Sequence, residues 1–284
     1  MPASQAPVEL LLTCSAAIDV GAALAFLGRR AIAGVEAYEE GHYTRTVRAC
    51  GGPARISLSS AAEGVACRVE LTDGADLAAV VSRARRLLDL DADQDAIDAR
   101  LGADRQLGAL VAAHPGLGSP GAVDGFEMAI RAVVGQQISV TGARTILGRI
   151  AAEHGSQAFD GQAGRLFPAP AQLAVIDPAS LPMPRARAKT VLAIAEACAS
   201  GALTLDPDGD REREHAALLA LPGIGPWTAD YIRMRALGDR DVLLATDLGV
   251  RRSAHRLGID LTGGRPEWAP WRSHATHRLW AAGH

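Results

Sequence analysis

The hydrophobic rhythm of the chain changes near residue 93. Before that point short apolar or alternating runs dominate, and residues 8–13, 42–49, 55–59 and 65–72 predict strands separated by Gly-Gly-Pro and Glu-Gly turns. Residues 17–30, with Ile18, Ala22, Ala25 and Phe26 at helical spacing, predict a helix. Residues 76–90 predict another, opened by Asp76 and striped by Leu77, Val80, Val81, Ala84, Leu87 and Leu88. The expected unit is α+β, built on a small antiparallel sheet. Beyond residue 93 the strand signal fades. Segments 106–113, 126–134, 141–154, 187–200, 210–220 and 226–237 predict helices, set apart by the clusters HPGLGSPG, FPAPAQ, LPMP and LPGIGP.

Composition sets the bounds. The 284 residues are 48% hydrophobic and 21% charged, which gives a soluble chain a real core and room for two domains or for one with an appendage. No run of 18 apolar residues offers a membrane span. The N-terminus lacks the pattern of a signal peptide, so an intracellular, cytoplasmic location is expected. Cys14, Cys50, Cys67 and Cys198 lie far apart, which argues against a zinc site, an iron–sulfur cluster or disulfides and predicts reduced thiols packed as small apolar groups.

A net charge of −3 argues against nucleic acid as a partner, but its distribution softens that. From Pro222 onward nine Arg face six acidic residues, a local +3 that leaves −6 for the rest, so the C-terminal region is the better face for phosphates. Of 29 basic residues only Lys189 is lysine, so Schiff-base chemistry has almost no candidate.

Two motifs carry chemistry. In LPGIGPWTADY, residues 221–231, a helix ends, turns through two glycines and restarts at Pro226. The N–H groups of Gly223, Gly225 and the following turn, Thr228 included, form an anion site at a helix N-terminus. This helix–hairpin–helix pattern binds DNA phosphates through the main chain, which suits an acidic protein. The plain alternative is a linker with no ligand. Second, Thr246 and Asp247 follow an apolar segment and precede a helix at 248–257, where an Asp is first of all a favoured N-cap.

A hairpin with an aspartate twenty residues after Trp227 resembles the catalytic core of the helix–hairpin–helix glycosylase superfamily. Within it the chain is similar, over almost its whole length, to the AlkA-type 3-methyladenine DNA glycosylase II family. The similar segments are 25–28 (AFLG), 86–90 (RLLDL), 114–117 (HPGL), 120–127 (PGAVDGFE), 134–139 (VGQQIS), 167–170 (FPAP) and 268–273 (WAPWRS), in the family's order. The resemblance implies an α+β domain at 1–98, a helical domain with the hairpin at 125–239, and a second helical domain from 99–124 with 240–284. Their cleft would hold the active site.

The same resemblance implies residue roles. Asp247 would be the catalytic carboxylate. Trp227, Tyr231 and Trp280, with Phe26 from the N-terminal domain, would be pocket aromatics that hold an electron-poor base by stacking and cation–π attraction. Gln136 would stand at the pocket wall and Gln137 where the family inserts a wedge. The best-known pattern has Leu at the wedge and an aromatic after the catalytic Asp, so Gln137 and Leu248 are departures. Arg251, with Arg252 and Arg256, would contact phosphates. Carbonyls of Leu219, Leu221 and Ile224 would hold a structural Na+ or K+, with no cofactor required for catalysis. Trp268, Trp271, Arg272 and Ser273 are expected to pack the final helix.

Bifunctional relatives carry a nucleophilic lysine just after the hairpin glycines, where this chain has Pro226 and Trp227. Endonuclease-III-type members also carry a C-terminal four-cysteine cluster, and no cysteine follows Cys198. The expectation is a monofunctional, monomeric, nucleoid-associated enzyme that flips alkylated purines out of double-stranded DNA and hydrolyses their glycosidic bond, Asp247 stabilising an oxocarbenium-like sugar. The alternative is a non-catalytic damaged-DNA-binding module, which would keep the hairpin and dispense with the carboxylate.

Overall fold

The computed structural model describes residues 6–14, 17–159 and 164–283. An antiparallel sheet of order β1-β5-β4-β3-β2 forms from β1 (Val8–Leu12), β2 (Glu36–Glu39), β3 (His42–Ala49), β4 (Gly52–Ala61) and β5 (Gly64–Leu71). Registers such as Tyr43↔Leu58 and Ile56↔Val69 bring Tyr43, Val47, Ile56, Leu58, Cys67 and Val69 onto one buried face. That face packs on α1 (Val20–Gly28) and α2 (Leu77–Leu88). The predicted helix at 17–30 is shorter than expected because Asp19 caps it, its carboxylate accepting from Ala22 N at 2.8 Å. The sequence predicts no strand at β2, since EAYE reads as polar. Glu36 is buried there nonetheless, because two arginines neutralise it.

The rest is helical: α3 (Gln94–Gly102), α4 (Gly108–Ala113), α5 (Gly125–Val134), α6 (Val140–His154), α7 (Pro170–Ala174), α8 (Arg185–Ala199), α9 (Arg211–Leu219), α10 (Pro226–Arg235), α11 (Leu248–Arg256) and α12 (Arg272–Ala281). The two-residue strands β6 (Ser156–Gln157) and β7 (Arg165–Leu166) interrupt it after α6. Helix α3 escapes sequence reading because only Ile97 and Leu101 give it an apolar contact face.

Three large cores result. One joins the sheet to α1 and α2, a second gathers α5, α6, α8 and α10, and a third gathers α3, α4, α11 and α12 around Trp268. Trp268 is fully buried and donates to Asp104 Oδ2 at 2.9 Å, Ser273 is buried, and Arg272 pairs with Asp241 at 2.7 Å, so this segment packs the last helix as expected. The four cysteines are free; Cys67 is buried, whereas Cys50 is exposed rather than packed. Among the described residues no helix is long and apolar enough to cross a membrane.

Sheet and helices meet across a closed ion network. Arg45 on β3 bonds Glu36 at 3.1 Å and Glu127 on α5 at 2.8 Å, while Arg131 on α5 bonds the same two carboxylates at 2.5 and 2.6 Å. The Tyr43 hydroxyl also donates to Glu36. These side chains are between 3% and 12% exposed, so each charge depends on its partners.

Candidate active site

The hairpin is built where α9 ends and α10 begins. Gly223 adopts φ +84°, and a Cβ there would lie 2.1 Å from the Thr190 hydroxyl of α8, which donates to the Pro222 carbonyl at 2.9 Å. Only glycine meets both conditions. Gly223→Ala is therefore expected to cost about 2–3 kcal/mol in chemical denaturation; a variant as stable as the parent would show that the turn relaxes freely. Gly225 caps α10 and borders open space. Pro226 starts the helix, leaving first-turn N–H groups without intrahelical acceptors.

Gln136 is not at the cavity wall where the sequence reading placed it. The Gln136 amide lies outside the cavity lining and donates to Thr228 Oγ1 at 2.9 Å and to the Gly223 carbonyl at 3.3 Å. It ties the turn after α5 to the hairpin. Thr228 is buried by this contact, so only its main-chain N–H remains to meet an anion. The next residue, Gln137, takes φ +57° and is exposed, a backbone conformation rare outside glycine. Arg187 supports the turn by donating to the Gln136 carbonyl at 2.8 Å.

Asp247 caps α11 as its sequence context suggests, accepting from Val250 N through Oδ1 at 3.0 Å. It does more than cap. Trp280 Nε1 donates to Oδ1 at 2.8 Å and Trp227 Nε1 donates to Oδ2 at 3.0 Å. Two indoles from different helices, α10 and α12, thus orient one carboxylate. It borders a cavity of about 580 Å³ that lies where the three cores meet.

An aromatic wall runs along this cavity. Trp227 stacks on Tyr231 at 5.4 Å, Tyr231 lies 6.0 Å from Trp280, and Trp280 stacks on Phe26 at 6.5 Å between ring centroids. The three C-terminal rings line the cavity, but Phe26 does not. It sits one layer behind, 8% exposed, because Arg30 and Arg235 cover its ring at 3.7 and 5.0 Å from the centroid.

Sequence reasoning passes over these arginines, although each stands four residues after a predicted pocket aromatic, Phe26 or Tyr231. It also misses His277, a buried ring set edge-on against Trp280 at 5.0 Å and held neutral first by burial and then by nearby Arg235.

The AlkA N-terminal domain family matches residues 9–124. A relative in Mycobacterium tuberculosis, named a probable bifunctional transcriptional activator/DNA repair enzyme AlkA, is 43% identical over 98% of this chain, and the chain spans 58% of that relative's length. DNA-3-methyladenine glycosylase 2 of Escherichia coli is 32% identical over 90% of this chain and 91% of its own. The chain belongs to the AlkA-type 3-methyladenine DNA glycosylase II family. A solved 3-methyladenine DNA-glycosylase from Archaeoglobus fulgidus shares the fold with a TM-score of 0.81, at 20% identity, over 97% of this chain and 98% of that one.

In this AlkA-type chain the remaining sequence-predicted residues divide between the cavity lining and the surface outside it. Arg251 is exposed on the first turn of α11, and Arg252 and Arg256 line the cavity. Leu248 is 60% exposed beside Asp247. Lys189 is exposed on α8, outside the lining. In the hairpin, the Leu221 carbonyl accepts from Ile224 N at 3.2 Å, whereas no main-chain N–H among the described residues donates to the carbonyls of Leu219 or Ile224. Two free carbonyl oxygens on one turn suit a hard monovalent cation, so the expected donor set fits at Leu219 and Ile224 and only in part at Leu221.

Proposed function

We propose that this chain is a monofunctional, monomeric DNA glycosylase that flips alkylated purines out of duplex DNA and hydrolyses their N-glycosidic bond. The observation that carries this reading is Asp247, oriented by the N–H groups of Trp227 and Trp280 at a cavity walled by the same two rings and Tyr231. The rings offer stacking faces to an extruded base, and the carboxylate would stabilise the positive charge that develops on C1′. An alkylated purine is already a good leaving group, so a second carboxylate acting as acid is unnecessary. The amides of Gly223, Gly225 and Thr228 would hold phosphates, with Arg251 adding charge. A Na+ or K+ on the hairpin carbonyls would stiffen that turn and take no part in the chemistry.

Lysine-based lyase chemistry finds no support, since Lys189 lies outside the cavity lining. The test is incubation of the protein with a duplex carrying N-methylated purines. Free methylated base should appear while the strand stays intact until heated in alkali, and borohydride should trap no covalent adduct. Trapping through Lys189, or tight binding to abasic DNA without any base release, would defeat the proposal.

A further inference from the structure

A second cavity, of about 510 Å³, lies at the C-terminal end of α10, the opposite end from the hairpin. Its size falls within the range of about 300–1,000 Å³ usual for small-molecule sites. The chemistry assigned to Asp247 makes no use of it. Gly121, Ala122 and Arg235 line both cavities and so form the wall between them. Beyond that wall the lining comes from the end of α2, the start of α9, the loop after α10 and the approach to α12.

The charges of this back cavity are unevenly matched. Among the described residues, five arginines and five aspartates line it. Arg85 pairs with Asp91 at 2.5 Å. Three more aspartates are taken up by groups outside the lining: Asp89 by His274 at 2.8 Å, Asp239 by Arg233 at 2.6 Å and Asp241 by Arg272 at 2.7 Å. Asp208 alone then stands against Arg86, Arg211, Arg235 and Arg240. Arg86 donates to the Ser82 hydroxyl and Arg211 to the Leu237 carbonyl, both at 3.0 Å, and neither has a carboxylate partner. Arg240 stands 3.6 Å from Asp89, beyond hydrogen-bond distance, and 5.9 Å from the centre of the half-buried Trp271 ring. Arg235, 2% exposed, has no carboxylate partner either, and its Nε makes no hydrogen bond. Guanidiniums gathered without counterions repel one another, a cost that a multiply charged anion relieves.

We propose that the back cavity binds a nucleoside monophosphate, its phosphate held by Arg86, Arg211 and Arg240 and its base set against Trp271. Guanidinium forks match phosphate oxygens bidentately, and a planar base stacks on an indole. Asp208, exposed and uncommitted, is free to accept from a sugar hydroxyl.

Isothermal titration calorimetry with deoxyadenosine monophosphate tests this. Arg211→Gln combined with Arg240→Gln should weaken binding at least about tenfold, because charge-assisted bonds are lost. The corresponding pair of Lys substitutions keeps the charge and should recover part of the loss, which separates binding from misfolding. Arg252→Gln, which removes an arginine from the base cavity instead, should change the affinity by less than about twofold. Deoxyadenosine without the phosphate and inorganic phosphate without the ring should each bind at least about tenfold more weakly. The proposal is overturned by a wild type that takes up no nucleotide at about 1 mM. It is equally overturned by a double variant that binds as well as the wild type, by a loss in Arg252→Gln as large as in the double variant, or by inorganic phosphate or deoxyadenosine binding as tightly as the nucleotide.

Discussion

Asp247→Asn is expected to slow release of methylated base from duplex DNA by at least about 1000-fold while leaving the fold intact. The amide is nearly isosteric and asparagine is as good an N-cap as aspartate, so the bond from Val250 N survives. Charge is lost, and with it the attraction for a cationic sugar. With the cap kept at Oδ1, the NH2 group takes the place of Oδ2 and faces the Trp227 indole, turning an acceptor contact into a donor–donor contact. Stability should therefore change by no more than about 1 kcal/mol. Asp247→Ala is the informative contrast: it removes the cap and orphans both indoles, so it should lose about 1–3 kcal/mol as well as activity. Thermal melts alongside single-turnover rates separate the two effects. A rate for Asp247→Asn within tenfold of the wild type would exclude the carboxylate as the source of catalysis.

The largest stability effect is expected at Arg45. Replacing it with Met should cost about 3–5 kcal/mol, because Glu36 and Glu127 would each lose a guanidinium while still buried. Burial by itself pushes the Glu36 carboxyl up, but Arg131 and Arg45 pull it below the usual carboxylate range. A depressed folded value gives stability that is fully present above about pH 4.3, where the unfolded chain is ionised, and that is lost as pH falls through the lower folded value. Denaturant titrations should show the wild type losing stability on acidification below that point. The variant, already missing a partner for Glu36, should lose less over the same interval. A cost under about 1 kcal/mol at neutral pH would mean that water enters and solvates the carboxylates.

The N-terminal strands β3 to β5 are legible because their apolar residues alternate, and α2 because its stripe is continuous. Helix α12 carries its meaning elsewhere: Ser273, His274, Thr276, His277 and Arg278 are all buried despite being polar. They are satisfied largely by distant groups, such as Asp89 for His274, which no local pattern announces. Gln136 shows the opposite failure. A polar residue beside the cleft reads as a base contact, yet the left-handed turn at Gln137 carries its amide to the hairpin.

By itself the sequence determined the family resemblance, the hairpin turn that only glycine can make, and the candidacy of Asp247, since these depend on residue type and short-range backbone geometry. Tertiary structure alone decided that two tryptophans hold this carboxylate from both sides, that Phe26 stands behind the wall, and that Arg30 and Arg235 meet over it without counterions. Those facts depend on contacts between elements far apart in the chain. The free energy of a buried charge is set by which groups surround it, and spacing along the chain carries no record of that.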